Sequence, residues 1–274
     1  MTAGQLRVSP NWLVLREPPD AAARSVELVE RLRPHLPATG RLIVHDLGGG
    51  SGSMGRWLAP QLPGPQRWVV HDRDPDLLEL AVADPPGRAA DGAEVTVEAR
   101  RSDITRLAPA ELAGAGLVTA SALLDMLTAG ELAEMLAACT AAVSCPVLLT
   151  LTVAGRVAIS PADPLDARLG AAFDAHQRRM TPRGRLLGPD AVAAAGDLLR
   201  AAGAEVLVRS SPWRLGPAEA DLTAEWFDGW VAAACEQEPA LAAGAGAYRE
   251  RRLAEVAAGA LEVTLDHADL LALP

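Results

Sequence analysis

Apolar and polar positions follow two different periods along the chain. Short apolar runs of about four to eight residues predict strands buried on both faces, and stretches in which apolar residues recur every three or four positions predict amphipathic helices. The predicted strands are Arg41–Asp46, Arg67–Asp72, Glu94–Ala99, Leu117–Ala122, Val147–Val153, Glu205–Ser210 and Leu261–Leu265. The predicted helices are Asp20–Leu36, Pro75–Val82, Thr128–Ala142, Pro164–Arg179, Asp190–Ala202 and a pair within Ala220–Ala258.

Strands and helices that alternate in this way are typical of an α/β fold with a mostly parallel, Rossmann-like sheet and helices on both faces. The 274 residues contain no internal repeat or low-complexity linker, so we expect a single domain. Its parts are an N-terminal arm and helix (1–38), a cofactor-binding half (39–155) and two helical insertions (156–188 and 218–259), which we expect to cover a substrate.

A glycine-rich loop follows the first predicted strand, which ends in Asp46. Gly48, Gly50 and Gly52 let the backbone turn sharply, and the helix that follows offers free N–H groups to a ligand. The second strand ends in Asp72, whose carboxylate is suited to accept hydrogen bonds from ribose hydroxyls. Together these features indicate an adenosine-containing ligand.

Between Gly50 and Gly55 the same loop also matches the dinucleotide fingerprint GxGxxG. A nicotinamide cofactor is therefore an alternative ligand. Asp46 distinguishes the two cases. A carboxylate just before the loop repels a diphosphate and attracts a cationic group. The alternatives to be tested are therefore an NAD(P)-dependent oxidoreductase and a cofactor-binding protein that transfers nothing.

The spacing Asp46-x-Gly48-x-Gly50-x-Gly52, followed by Asp72, resembles the first two motifs of the class I S-adenosylmethionine-dependent methyltransferases. The resemblance extends at intervals from Arg41 to Trp213. It implies that S-adenosyl-L-methionine is the cofactor, and that the sheet has seven strands of which the last, Leu261–Leu265, is antiparallel. It further implies contacts to this cofactor from the residues that match or adjoin the family's motifs: Asp46, Gly48, Gly50, Gly52, Asp72, Arg73, Asp103, Ile104 and Ser121.

Two residues are candidates for the general base of methyl transfer. His176 shares an apolar helical stripe with Leu169 and Phe173, and an imidazole is the side chain that most often serves as a general base. Asp125 follows the fourth strand, where many members of the family carry His or Asn, so the resemblance transfers no role to it. A buried structural histidine is the competing interpretation of His176.

Scarce aromatic residues and a run of arginines are candidates for substrate contacts. Arg179 belongs to a basic run with Arg178, Arg183 and Arg185, which is either solvated or able to clamp an anionic group. Trp226 and Trp230 concentrate aromatic area on one predicted helix, as core or as pocket lining. Trp12, next to Asn11, belongs to a lid over the cofactor or to a packed arm.

Composition narrows the remaining possibilities. The net charge of −10 argues against nucleic acid or an anionic membrane as the partner. All 25 basic residues are arginine, which excludes chemistry that needs a lysine. Three cysteines without a CxxC pair, and an N-terminus unlike a secretory signal, favour a cytoplasmic protein. We therefore expect a metal-independent methyltransferase acting on a small molecule; a homodimer stays open.

Overall fold

The computed structural model describes residues 9–142 and 145–274, so the first eight residues of the predicted arm lie outside the described part. The helices are α1 (Pro10–Ala23), α2 (Val26–Leu32), α3 (Ser53–Leu58), α4 (Pro75–Ala83), α5 (Ala129–Ala142), α6 (Asp166–Gln177), α7 (Ala191–Ala201), α8 (Ala220–Gln237) and α9 (Ala242–Ala257). The strands are β1 (Leu42–Leu47), β2 (Gln66–Asp72), β3 (Val95–Arg101), β4 (Leu117–Ser121), β5 (Val147–Ser160), β6 (Met180–Thr181), β7 (Gly184–Arg185), β8 (Glu205–Ser210), β9 (Trp213–Leu215) and β10 (Glu262–Leu273).

Within the described residues the main sheet has eight strands, seven of them in the order β3-β2-β1-β4-β5-β10-β8. Strands β1 to β5 pair in parallel, whereas β10 is antiparallel to both β5 and β8. The predicted fold class and its antiparallel last strand are confirmed. The strand count differs because β9 adds an eighth strand, paired with the first part of β10. The carboxyl ends of β1, β2 and β4 meet at one edge, where a ligand site of such a sheet is expected.

Two strands run much further than predicted. β5 was expected to end at Val153 but continues to Ser160, and β10 was expected to end at Leu265 but continues to Leu273. The two pair along almost their whole length, with register shifts near His267 and Asp269. The first part of β10 and the last part of β5 therefore form a platform beyond the parallel sheet.

The helical cover packs on this platform. A buried cluster joins α6, α8 and α9 to β9 and to the platform; its members include Leu169, Leu215, Phe227, Tyr248 and Val263. Arg252 of α9 is buried and binds the Asp166 carboxylate of α6 through two contacts of 2.7–2.8 Å. The predicted insertions thus share one core, separate from the two cores on either face of the parallel sheet.

The predicted helix Asp20–Leu36 is wrong. Two helices replace it, because Arg24 and Ser25 adopt extended backbone dihedrals between α1 and α2. Ser25 caps α2 by accepting a hydrogen bond from the Leu28 backbone N–H at 3.4 Å. Its own N–H donates to the buried carboxylate of Asp269 at 2.7 Å. This tertiary bond holds the break between the helices, and local pattern gives no sign of it. No helix in the described ranges is long and apolar enough to span a membrane.

Candidate functional site

The glycine-rich loop leaves β1 at the carboxyl edge of the sheet and enters α3. Gly48, Gly50 and Gly52 have φ values of +63°, +54° and +84°, which side chains rarely tolerate. Gly49 is constrained in a different way: a Cβ there would collide with the Asp46 carboxylate and lie 2.8 Å from Val70. The loop therefore lies directly against Asp46, and bare backbone forms its surface.

Asp46 is completely buried beneath this loop. The Thr119 hydroxyl donates a hydrogen bond of 2.8 Å to Oδ1, while Oδ2 has no partner among the described residues. Burial raises the pKa of Asp46 to about 7, although Thr119 and the positive charge of Arg24 act in the opposite direction. A buried carboxylate with one oxygen that lacks a hydrogen-bond partner is suited to a ligand group that donates hydrogen bonds and carries positive charge.

Asp72 is held by two backbone hydrogen bonds at the end of β2. The N–H of Gly50 donates to Oδ2 at 3.0 Å, and the N–H of Asp74 donates to Oδ1 at 2.9 Å. Each carboxylate oxygen keeps a further lone pair, because an ionised carboxylate accepts about four hydrogen bonds. The carboxylate is thus fixed in orientation and still able to accept bonds from two neighbouring hydroxyls.

A cavity of about 400 Å³ opens beside Asp72, lined by Arg73, Arg101, Ser102 and Asp103. Asp103 also begins a 3₁₀ turn over Ile104–Arg106, where Oδ1 accepts from the N–H and the hydroxyl of Thr105. Its Oδ2 is not used in these bonds, so capping and ligand contact are compatible. Ile104 is buried. This cavity is large enough for one ring system next to Asp72.

Helix α1 lies across the glycine-rich loop. Leu13 is 3.9 Å from the position of a Cβ on Gly50, and Glu17 forms a two-point ion pair with Arg56 of α3 at 2.6 Å. Arg56 in turn donates to the Ser51 carbonyl at 2.7 Å. The arm is therefore fastened to the loop itself. Trp12 packs against Trp213 of β9, with ring centroids 6.2 Å apart. Among the described residues we find no contact between Trp12 and the loop.

Arg24 is a site residue that sequence reasoning missed. It follows α1, and its side chain is 0% exposed. Nη2 donates to the Ser121 hydroxyl at 3.1 Å, and the guanidinium lies 5.3 Å from the ring centre of Trp57. Burial lowers the pKa of Arg24, and the charges of Asp20 and Asp46 counteract this. The available signal was the spacing of Arg16, Asp20 and Arg24, which puts three charged residues on one face of a helix.

The two candidate bases have different surroundings. Asp125 lies in a 3₁₀ turn just after β4, and no side-chain hydrogen bond joins its carboxylate to another described residue. Burial raises the pKa of Asp125, opposed by the charges of Arg16 and Arg179. His176 has both ring nitrogens engaged: Nε2 is 3.3 Å from Glu236, and Nδ1 is 3.4 Å from Nη1 of Arg179. The roles of both residues stay predictions.

The predicted substrate residues are only partly together. The positive charge of Arg179 acts to lower the pKa of Asp125, and Nη1 of Arg179 donates to the His176 carbonyl oxygen at 3.1 Å. The other members of its basic run are engaged elsewhere: Arg178 pairs with Asp190, Arg183 pairs with Glu131, and Nε of Arg185 donates to the Arg178 carbonyl oxygen. Any clamp on an anionic acceptor therefore depends on Arg179.

Trp226 and Trp230 are stacked in the core of the cover and are 8% and 1% exposed. Of the two interpretations raised for them, the structure places them in the core arrangement, and pocket lining stays a hypothesis. In the part of the chain that the structure describes, no group of three or more His, Cys, Asp or Glu side chains is arranged to hold a metal ion.

A scan against protein-family models and a search of curated proteins both find no match. Solved structures resemble the chain at low identity. A cyclopropane synthase from Mycobacterium tuberculosis is 14% identical with a TM-score of 0.48, over 97% of this chain and 94% of that one. An S-adenosylmethionine-dependent methyltransferase from Geobacter sulfurreducens in complex with S-adenosylhomocysteine is 13% identical with a TM-score of 0.46, over 98% and 100%.

A magnesium protoporphyrin IX methyltransferase from Synechocystis with bound S-adenosylhomocysteine is 17% identical with a TM-score of 0.45, over 77% and 84%. Likenesses at this level carry no argument about chemistry. The strand order and the antiparallel β10 rest on the chain itself. The chain has a Rossmann-like fold with the antiparallel last strand that the methyltransferase resemblance implied. What it does must be argued from the site.

Proposed function

We propose that this protein transfers a methyl group from S-adenosylmethionine to a small-molecule acceptor. The observation that carries the proposal is the buried carboxylate of Asp46, whose Oδ2 has no partner in the described structure and lies against the glycine-rich loop. A diphosphate on this loop would meet a negative charge in a low-dielectric setting, whereas the ammonium group of an amino-acid tail would be attracted to it.

The residues at the loop fit such a cofactor along its length. Asp46 and the loop backbone would hold the amino-acid end, Asp72 would accept bonds from the ribose hydroxyls, and the cavity between Arg73 and Asp103 would hold the base. When bound, S-adenosylmethionine supplies a methyl group already activated on a sulfonium, so the protein has to align and desolvate the acceptor and remove its proton.

We favour Asp125 as the general base that removes the proton from the acceptor. It is next to the end of β4, close in sequence to Ser121, and its carboxylate is free to accept from an acceptor O–H or N–H. A raised pKa brings a carboxyl group nearer to the range in which a general base works at neutral pH. His176 would have to give up its contact with Arg179 first, so we assign it to holding Arg179 in position.

Titration calorimetry with S-adenosylhomocysteine, NADH and NADPH tests the proposal. We expect the first to bind and the nicotinamide cofactors not to bind. Asp72→Ala should weaken S-adenosylhomocysteine by about tenfold to a hundredfold, because it removes hydrogen bonds to a charged acceptor. Gly50→Val should abolish binding, since a branched side chain rarely adopts its positive φ.

Asp221→Ala is the matched control, because Asp221 is exposed at the start of α8, away from the loop. Wild-type affinity in both Asp72→Ala and Gly50→Val, or preferential binding of a nicotinamide cofactor, would contradict the proposal. A positive binding result is followed by measuring S-adenosylhomocysteine release over hydroxyl, amine and carboxylate acceptors. Binding without release for any of them would favour a protein that uses the cofactor without transferring its methyl group.

A further inference from the structure

The guanidinium of Arg24 is buried and only partly hydrogen-bonded. Its side chain is 0% exposed, yet neither Nε nor Nη1 has a hydrogen-bond partner among the described residues. The nearest acid, Asp20, is 4.0 Å from Nη2 and already accepts from Arg16 and from the indole N–H of Trp213. Buried N–H groups without acceptors are costly, and a charged group raises that cost.

Arg24 is held in place by the fold rather than by its own side-chain bonds. The neighbouring Ser25 N–H donates to the Asp269 carboxylate, which also accepts from the Leu151 N–H at 2.8 Å and the Ser211 hydroxyl at 2.6 Å. The hydrogen bonds that Ser25, Leu151 and Ser211 donate to Asp269 fix the break between α1 and α2. They thereby also fix the direction of the Arg24 side chain. Trp57 packs against the guanidinium and restricts it further.

This position is next to the glycine-rich loop. Ser121, which accepts from Nη2, ends β4, and β4 is paired with β1 so that Thr119 is opposite Asp46. The charges of Arg24 and Asp46 interact, as their effects on each other's pKa show. Arg24 and Asp46 therefore lie at the same end of the loop, and each has at least one atom without a hydrogen-bond partner among the described residues.

We propose that Arg24 binds the α-carboxylate of the cofactor's amino-acid tail, while Asp46 attracts its ammonium group. A guanidinium donates to carboxylate oxygens through planar, fixed N–H groups, and the N–H groups on Nε and Nη1 of Arg24 have no partner among the described residues. A carboxylate on the methyl acceptor has the same chemistry and is the other source to be tested. The inference rests on the proposed function, because it assumes the zwitterionic tail of S-adenosylmethionine.

Calorimetry with two ligands tests the inference. The probes are S-adenosylhomocysteine and its decarboxylated analogue, S-adenosyl-3-thiopropylamine, which keeps the amine and lacks only the carboxylate. We expect the wild-type protein to prefer S-adenosylhomocysteine by roughly tenfold to a hundredfold, as for hydrogen bonds to a charged group. In Arg24→Met this preference should fall to within about threefold, with Arg24→Lys in between because it keeps the charge and loses the planar, fixed donors of the guanidinium.

Arg209→Met is the control, since Arg209 is a partly exposed arginine paired with Glu27 of α2 and should leave the preference unchanged. Far-UV circular dichroism and melting temperature confirm that each variant folds. The wild-type comparison needs no variant, so misfolding of Arg24→Met leaves the test intact.

Equal wild-type affinity for both ligands would overturn the inference and leave the proposed function standing, whereas binding of neither would refute the proposed function. Two results with Arg24→Met also overturn the inference. One is equal weakening of both ligands, which indicates a structural role. The other is an unchanged preference with weaker binding of carboxylate acceptors, which assigns the guanidinium to the substrate.

Discussion

Asp46→Asn is expected to stabilise the ligand-free protein more at high pH than at low pH. Asp46 is buried with Oδ2 unpartnered among the described residues, and its pKa is raised from 3.8 to about 7. The folded state therefore holds the proton of this group more tightly than the unfolded state. As the pH rises from below 3.8, the unfolded chain gains the ionised form first, and stability falls until the pH passes about 7.

The size of the effect follows from the two pKa values. Burying the Asp46 carboxyl costs about 2 kcal/mol at pH 5 and about 4 kcal/mol at pH 8. Asparagine does not titrate, so the difference in unfolding free energy between variant and wild type should grow by roughly 2–3 kcal/mol between these conditions. For a domain of this size that corresponds to about 5–10 °C in the difference of melting temperatures.

Differential scanning calorimetry of both proteins between about pH 5 and pH 8 measures this difference directly. Asparagine keeps an acceptor for the Thr119 hydroxyl but adds an amide N–H at the position of Oδ2. An unsatisfied N–H costs about 1–3 kcal/mol, which shifts the whole curve and leaves its slope unchanged. Glu79→Gln, which removes an exposed carboxylate on α4, is the control and should give a flat difference. A flat or falling difference for Asp46→Asn would refute the reasoning.

Two further predictions concern acid stability and catalysis. His45 and His71 are buried, joined by a 2.8 Å hydrogen bond, and burial lowers the pKa of each to about 4. The unfolded chain therefore binds more protons than the folded one between about pH 4 and 6.5, and stability falls as the pH drops through this range, by about 2 kcal/mol per imidazole at pH 5. His71→Gln should lose less melting temperature than the wild type between pH 7 and pH 5, and a wild-type acid slope would contradict this. Asp125→Asn should lower turnover by about a hundredfold or more, as loss of a general base does, with cofactor affinity within about threefold. His176→Ala should lower turnover less, and a larger effect in His176→Ala than in Asp125→Asn would reverse the assignment.

The parallel half of the fold could be predicted from the sequence because its elements are locally encoded. The apolar runs of β1, β2 and β4 are buried on both faces, and the Thr128–Glu131 capping box is present with both of its hydrogen bonds. The loop from Gly48 to Gly52 is recognisable in the sequence, because spaced glycines directly after a strand are typical of a tight turn that lets the backbone approach a ligand. These signals need no knowledge of distant contacts.

The platform and the arm could not be predicted, because tertiary contacts decide them. β10 continues through Asp266, His267 and Asp269, a polar stretch that reads as the end of a strand. Asp269 can be buried there because it accepts hydrogen bonds from three separate segments. Arg24 lies within the predicted helix Asp20–Leu36, where the local pattern does not mark it as buried. The bond between Ser25 and Asp269 breaks that helix and turns the guanidinium inward.

The same two side chains connect the stability of the protein to its proposed activity. A buried carboxyl with a pKa near 7 and a buried guanidinium with two open donors both disfavour the folded state when no ligand is bound. A ligand that carries an ammonium and a carboxylate on one carbon would satisfy both groups at once, and its binding would stabilise the fold by mass action. A substitution that removes the charge of Asp46 should then make the ligand-free protein more stable and the complex weaker. Opposite changes in stability and affinity at a single position are what a binding site produces, since a purely structural charge would lose both together.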